Sequence, residues 1–444
     1  MSAKPRNHPR IVDVETYLSG CTCEYEHPAP EVTLYSGADA SQILAEDCRA
    51  IYGDRPILLL CDPETYAVAG AELQQCLDAE NINLTTYQFD SHPVATAALI
   101  ETVRSLTQDI ALVISVGSGT VNDLGKYSSS EEHIDFWCLP TAPSMNGYTS
   151  GIAAIKVKGV KRTLPAMPPQ RIYALPEVIQ QAPLKLRQAG FCDVLAKVVS
   201  DIDWQCESLL FSGSYCGLPA AMMAEVEKSY SDHPEEIGQG DESAVMGLFN
   251  GLLLSGVAMS LAGSSAPASG GEHLVSHFWD MREPITGREP ELHGLQVGAG
   301  IILSTACYQR LRQLDASDLQ PQADQVFAAT AAQISVIWGP YADEVAKQFQ
   351  NKREILRQFD TLLPQKWNQL QTLFHQVQPP EYFAELFART GAPFSLEAFR
   401  LTEDEFILAA LNSRAIRERI TVLDLAAQAG VLEAAAEDAL QLLR

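Results

Sequence analysis

Residues 109–123 read DIALVISVGSGTVND, and the reading of that stretch decides the fold. The run IALVISV has almost nothing polar to turn towards water, which suits a strand of a parallel sheet covered on both faces by helices. Gly117 and Gly119 break the run, and a helix follows. Outward from there the same rhythm repeats: PILLLCD at 56–62, helical TYAVAGAELQQCLDAEN at 65–81, INLTTYQF at 82–89, a helix over PVATAALIETVRSL at 93–106, and IDFWCLPTAPS at 134–144. Short apolar runs alternating with helices predict βαβ units, hence a Rossmann-like α/β nucleotide-binding domain with a parallel sheet.

Beyond about residue 180 the strand signals stop. LKLRQAGFCDVLAKVVSDIDWQ at 184–205, AVMGLFNGLLLSGVAMSLA at 244–262 and REILRQFDTLLPQKWNQLQTLF at 353–374 read as helices. Small residues in AGSSAPASGGEH at 262–273 break one helix and start another that carries histidines. The expected organisation is an extension at 1–35, a nucleotide-binding α/β domain at 36–180 and an all-helical domain at 181–444. Ligands are expected in the crevice at the carboxyl ends of the strands.

The 444 residues carry 31 lysines and arginines against 56 aspartates and glutamates, a net charge of −25. Such a surface repels nucleic-acid phosphates and anionic lipid, so neither partner is expected. A phosphorylated small molecule needs a local cationic pocket or helix N-termini, and its binding should be salt-sensitive. The N-terminus lacks the apolar core of a secretory signal, and no stretch is read as reaching the roughly 18–20 apolar residues of a membrane span. A cytoplasmic protein without membrane insertion is the expectation. Of ten cysteines only Cys21 and Cys23 stand close, as a C-x-C with no second pair. Buried reduced thiols are expected rather than a zinc ribbon.

Four groups of residues carry chemistry. Gly117, Ser118, Gly119, Thr120 and Val121 follow a strand and open a helix, so backbone N–H groups and the helix dipole could take a pyrophosphate; a plain tight turn fits equally. Asp62 closes the strand ILLLC, where a carboxylate can take ribose hydroxyls or cap the helix at Pro63. The hydroxyl-rich LPTAPSMNGYTS at 139–150 ends another strand. His273 and His277, at i and i+4, share a helix face, with His293 twenty residues on. The glutamate of H-E-x-x-H is absent, so a metalloprotease is not indicated. Asp193 is an acid inside the apolar AGFCDVLAK, where a buried carboxylate needs a partner such as a divalent cation.

In order, GSGTVND, PTAPSMNGYTS, AGFCDVLAK, GGEHLVSH and HGLQVG resemble the glycerol dehydrogenase, dehydroquinate synthase and iron-containing alcohol dehydrogenase superfamily. Within it the chain is most similar to the bacterial-type sn-glycerol-1-phosphate dehydrogenases, including the C-terminal AIRERITVLDLAAQAGVL. The resemblance covers residues 36–435. It implies a dehydroquinate synthase-like fold and metal-dependent reduction of dihydroxyacetone phosphate by NAD(P)H, in a homodimer. It implies a divalent metal (Zn, Ni, Fe or Mn) on Asp193, His273 and His293, with His277 facing substrate and relaying a proton. NAD(H) would lie on Gly117 to Val121, with Asp62, Thr141, Ala142, Pro143, Ser144 and Ser150 completing its site. Substrate would meet Asn146, Asp193 and His277. For its phosphate, Lys126, Lys156, Lys161, Arg162 and Lys197 are unranked candidates, each also readable as a surface cation.

Two departures stand out. Asn146 replaces the usual aspartate, removing a charge and adding donors, which opens the substrate to revision. Cys192 replaces a usual glycine, either as a small packing residue or as a thiol close to the metal. The alternatives are a dehydrogenase acting on glycerol or on another phosphorylated or phosphonate carbonyl compound, a synthase-like lyase that regenerates NAD, and a degenerate nucleotide binder.

Overall fold

A computed structural model of the chain describes residues 8, 10, 11, 17–19, 21–23, 26–28, 30–157 and 160–444. Part of the expected extension, and the side chain of Lys161, lie outside the described residues. Six parallel strands build one sheet: β1 (Thr33–Ser36), β2 (Ile57–Cys61), β3 (Leu84–Gln88), β4 (Leu112–Gly117), β5 (Asp135–Pro140) and, after an antiparallel hairpin β6 (Ile152–Val157) and β7 (Val160–Pro165), β8 (Arg171–Ala174). Their order is β1-β8-β5-β4-β2-β3.

The apolar runs are strands because both faces are covered. Leu58, Leu60 and Val113 join a core with Val121, Leu124 and Phe136 on one side. Ile57, Leu59, Ile114 and Val116 join Leu44, Leu73 and Leu77 on the other. The covering helices include α1 (Ala40–Tyr52), α2 (Ala71–Ala79), α3 (Ala97–Leu106) and α4 (Gly119–Glu132). The Thr96 hydroxyl caps α3 by accepting from Leu99 N–H at 3.2 Å. The helix expected at 65–81 passes through one wide π turn, Tyr66–Gly70, before α2. LTTYQ of β3 mixes exposed and half-buried residues because it is the edge strand.

Chain direction across the sheet reverses between β2 and β4: β3 lies to one side of β2, and β4, β5 and β8 succeed one another on the other. A crevice forms at the carboxyl ends of strands where the order reverses. Asp62 follows β2 and Gly117 ends β4, and the pairing of Leu60 with Ser115 sets them at that same edge.

The chain divides into two compact units: 1–21, 26–194 and 221–264 in the first, and 22–25, 195–220 and 265–444 in the second. Residues 184–205, read as one helix, form α5 (Leu184–Leu195) and the start of α6 (Lys197–Phe211). The α7 helix (Glu242–Ala262) returns to the first unit because Val245, Phe249 and Leu253 complete the core on one face of the sheet. It also corrects the membrane-span expectation: within its 21 residues an 18-residue window has a mean hydropathy of 1.7, enough by length and composition. It is apolar all round because 78% of that apolar window is buried in the protein, as in a core helix. After Ser265 the regular elements among the described residues of the second unit are helices, led by α8 (Gly271–Thr286) and α9 (His293–Leu311).

Candidate active site

The glycine turn and the hydroxyl-rich loop meet in the first unit. Gly117 pairs with Pro140 across β4 and β5, and Thr141 N–H donates to Gly117 O at 3.2 Å, so the loop from Thr141 leaves the sheet beside the turn. Ser118 is the N-cap of α4 but its side chain makes no capping bond. The first turn of α4 therefore has N–H groups with no side-chain cap at the positive end of a 14-residue helix, the setting that receives phosphate. Asp62 caps a short helix, accepting from Thr65 N–H at 2.7 Å through Oδ1, while Thr65 Oγ1 accepts from Asp62 N–H at 3.0 Å. The cap reading thus holds, and Oδ2 takes no part in it.

Below the loop, Tyr148 donates to Ala142 O at 2.8 Å and Thr149 to Leu253 O at 2.5 Å, locking it to its own turn and to α7. Ser150 is fully buried and its hydroxyl faces Gly147 O and Ile152 O within the turn. Lys126 departs further from expectation. It is fully buried and aims its ammonium at Gly147 O at 2.6 Å, Ser150 O at 3.5 Å and Asp123 Oδ1 at 3.4 Å. Two of these contacts hold the loop and the third ties it to α4, so Lys126 is not a surface cation. Arg162 is exposed, and Lys156 and Lys197 are half-buried.

Asp193 stands near the end of α5, 1% exposed, and its Oδ2 accepts from Asn146 N–H at 2.9 Å. The Asn146 amide lies 3.4 Å from Ser255 Oγ. Gly190 explains that approach: a Cβ there would lie 1.8 Å from Pro143 O, so only glycine lets α5 come this close to the loop. Cys192 is buried, and burial, reinforced by the Asp193 charge, holds its thiol well above its ordinary pKa. It is a neutral packing group.

The second unit gathers the histidines. The rings of His273 and His277 lie 6.0 Å apart on α8, and His293, first residue of α9, lies 5.1 Å from His273 and stacks on His277 at 5.6 Å. Hydrogen bonds fix which nitrogens are open. Glu272 Oε1, which also accepts from Gly270 N–H at 2.7 Å, lies 2.8 Å from His273 Nδ1. A carboxylate accepts, so His273 Nδ1 carries a proton, and the neutral ring keeps its lone pair on Nε2. Ser276 donates its one proton to Gln296 Oε1 at 2.8 Å and lies 2.9 Å from His293 Nδ1. It must then accept from Nδ1–H, and the neutral ring of His293 likewise keeps its lone pair on Nε2. Two neutral imidazoles with oriented Nε2 atoms are what a divalent cation requires. Glu272, Ser276 and Gln296 were not found by sequence reasoning, though position 272 beside a ligand histidine was the available signal.

The description "Iron-containing alcohol dehydrogenase" belongs to the family model that matches residues 36–183. The chain is similar to the glycerol-1-phosphate dehydrogenase [NAD(P)+] of Geobacillus thermodenitrificans, 34% identical over 58% of this chain and 65% of that protein, just under two thirds of its length. It is 31% identical to the enzyme of that name from Geobacillus stearothermophilus, over 68% of this chain and 76% of that one. Among solved structures, a probable glycerol dehydrogenase from Sinorhizobium meliloti 1021 superposes with a TM-score of 0.59 at 16% identity, covering 93% of this chain and 99% of its own, and so shares the fold.

Proposed function

The chain belongs to the glycerol-1-phosphate dehydrogenases of the iron-containing alcohol dehydrogenase family, and from that premise we propose that it reduces dihydroxyacetone phosphate to sn-glycerol 1-phosphate with NAD(P)H. The observation that carries the reading is the pair of imidazoles, His273 and His293, whose Nδ1 protons are taken up by Glu272 and Ser276.

The resemblance to the family adds Asp193 to those two histidines as the third ligand of a divalent ion, and Zn, Ni, Fe and Mn all accept a mixed carboxylate and imidazole set. A divalent ion bound there supplies Lewis acidity to the substrate ketone, and a bound nicotinamide supplies the hydride. The chain's own groups do the rest. The first turn of α4, from Gly117 to Val121, receives the pyrophosphate; Asp62 Oδ2 takes a ribose hydroxyl; and the buried backbone from Thr141 to Ser144 walls the dinucleotide in. Asn146 presents amide donors to the hydroxyl end of the substrate.

Reduction of the ketone consumes one hydride and one proton, and His277 delivers the proton from its ring to the former carbonyl oxygen. Asp280, with a carboxylate oxygen within 4.8 Å of a His277 ring nitrogen, supports the charged ring between turnovers. For the phosphate the cationic candidates are Lys126, Lys156, Lys161, Arg162 and Lys197, of which Lys126 would have to give up its loop carbonyls.

The test is NADH oxidation at equal concentrations of dihydroxyacetone phosphate and dihydroxyacetone, with the protein stripped of metal and then reloaded. Metal-dependent turnover restricted to the phosphorylated ketone supports the reading. Turnover of dihydroxyacetone at an equal rate, or NADH binding with no turnover of either, refutes it.

A further inference from the structure

We propose that Arg419 is a positioning residue for His273, acting through one peptide group and Glu272; the role rests on the reading of His273 as a cation ligand. Arg419, Ser269, Gly270, Glu272 and His273 all belong to the second unit. Arg419 stands in the C-terminal run AIRERITVLDLAAQAGVL at 415–432, a motif to which the dehydrogenase reading gives no task. Its Nη1 donates to Ser269 O, and its Nη2 donates to Ser265 Oγ at 3.4 Å. Ser269 O and Gly270 N–H are the two ends of one planar peptide group. That N–H donates to Glu272 Oε1 at 2.7 Å, and Glu272 Oε1 lies 2.8 Å from His273 Nδ1. The guanidinium thus pulls on the carbonyl end of the peptide whose other end holds Glu272, and linked hydrogen bonds polarise one another. Arg419 supports the imidazole without touching it.

Charge points the same way. Glu272 is fully buried, and its Oε2 has no hydrogen-bond donor among the described residues. A buried carboxylate keeps its charge only where that charge is compensated. The positive N-terminal end of α8 supplies part of the compensation. Arg419 adds a full positive charge: burial pulls its guanidinium down, while the charges of Glu207, Glu272 and Asp203 hold it up. The turn before α8 is also fixed from α6. Ser200 Oγ donates to Pro267 O at 2.9 Å, and Asp203 Oδ2 accepts from Gly271 N–H at 2.7 Å. Glu207, one helical turn after Asp203, accepts from the N–H of Ile420, next in the chain to Arg419, at 3.1 Å. A guanidinium suits this place because its fork serves Ser269 O and Ser265 Oγ together.

The experiment measures cobalt(II) affinity of the metal-stripped, full-length protein by chelator competition. The variants are Arg419→Met, Arg419→Lys, Glu272→Gln and the double variant Arg419→Met/Glu272→Gln. Arg419→Met should bind cobalt about 10- to 100-fold more weakly. Arg419→Lys, which keeps the charge, should recover most of that loss. In the Glu272→Gln background the change at Arg419 should have little further effect, because the carboxylate through which it acts is gone. Wild-type affinity in Arg419→Met overturns the role. So does a loss of equal size in both backgrounds, the additive pattern of a side chain that only stabilises the fold. A wild-type protein that takes up no cobalt overturns the cation reading of the site and this role with it, whereas equal uptake by wild type and Arg419→Met overturns the role alone.

Discussion

Replacing Gly190 by alanine tests whether the approach of α5 to the loop at 141–146 builds the site. The new Cβ would sit 1.8 Å from Pro143 O, 2.8 Å from Pro143 C and 3.0 Å from Leu252 Cδ1. Carbonyl backbone cannot rotate away as a side-chain tip can, and non-bonded carbon and oxygen repel inside about 3 Å, so helix and loop must separate by roughly 1 Å. Overpacking of this kind costs about 1–3 kcal/mol of stability. The same displacement would stretch the 2.9 Å bond from Asn146 N–H to Asp193 Oδ2 out of hydrogen-bond range. A misplacement of about 1 Å at a reacting centre lowers the rate on the order of 100-fold. The assay compares kcat/KM with NADH affinity and urea unfolding for Gly190→Ala. We expect kcat/KM down about 100-fold, beyond what the stability loss alone produces, because the protein remains folded at assay temperature. Wild-type kcat/KM in a folded Gly190→Ala protein would falsify the geometry on which the site rests.

Glu272→Gln removes the anion that orients His273, and metal affinity should fall by about 10- to 100-fold, read by competition with a coloured chelator; unchanged affinity sinks the tautomer argument. Asp203 accepts from Tyr308 Oη at 2.6 Å and from Gly271 N–H at 2.7 Å. Burial first, then the Glu272 charge, pushes its carboxyl up to about 8. The folded chain therefore keeps a proton that the unfolded chain has released above about pH 4, so this group's stabilisation is lost as pH rises through about 8. Urea midpoints should fall across that window, and Asp203→Asn should flatten the slope. Lys126→Met leaves Asp123 and two carbonyls facing an apolar side chain. A loss of about 3 kcal/mol is expected on breaking one side of a buried pair, with NADH affinity reduced because the loop at 147–150 is released; a neutral urea midpoint contradicts the anchoring role.

What the sequence disclosed follows the range of the interactions involved. The apolar runs of β2, β4 and β5 and the helices between them were legible because burial on two faces leaves its mark on consecutive residues. The i,i+4 histidines and the glycine turn were legible for the same reason, each being a local geometry. β1 and β8, four residues each, and the β6–β7 hairpin were not, since no run in them is long enough to separate strand from loop. Residue type also misleads where tertiary structure reassigns a group. Lys126 reads as a solvated cation, yet a half-buried carboxylate one helical turn back and two carbonyls 21 and 24 residues on make it a core anchor. Ser276 reads as a neutral helix residue until Gln296 takes its proton, and only then is the tautomer of His293 determined. Chemistry at this site is therefore set one layer behind the residues that touch ligand, by Glu272, Ser276 and Gln296. A substitution in that layer should alter metal affinity while the ligand residues themselves remain unchanged.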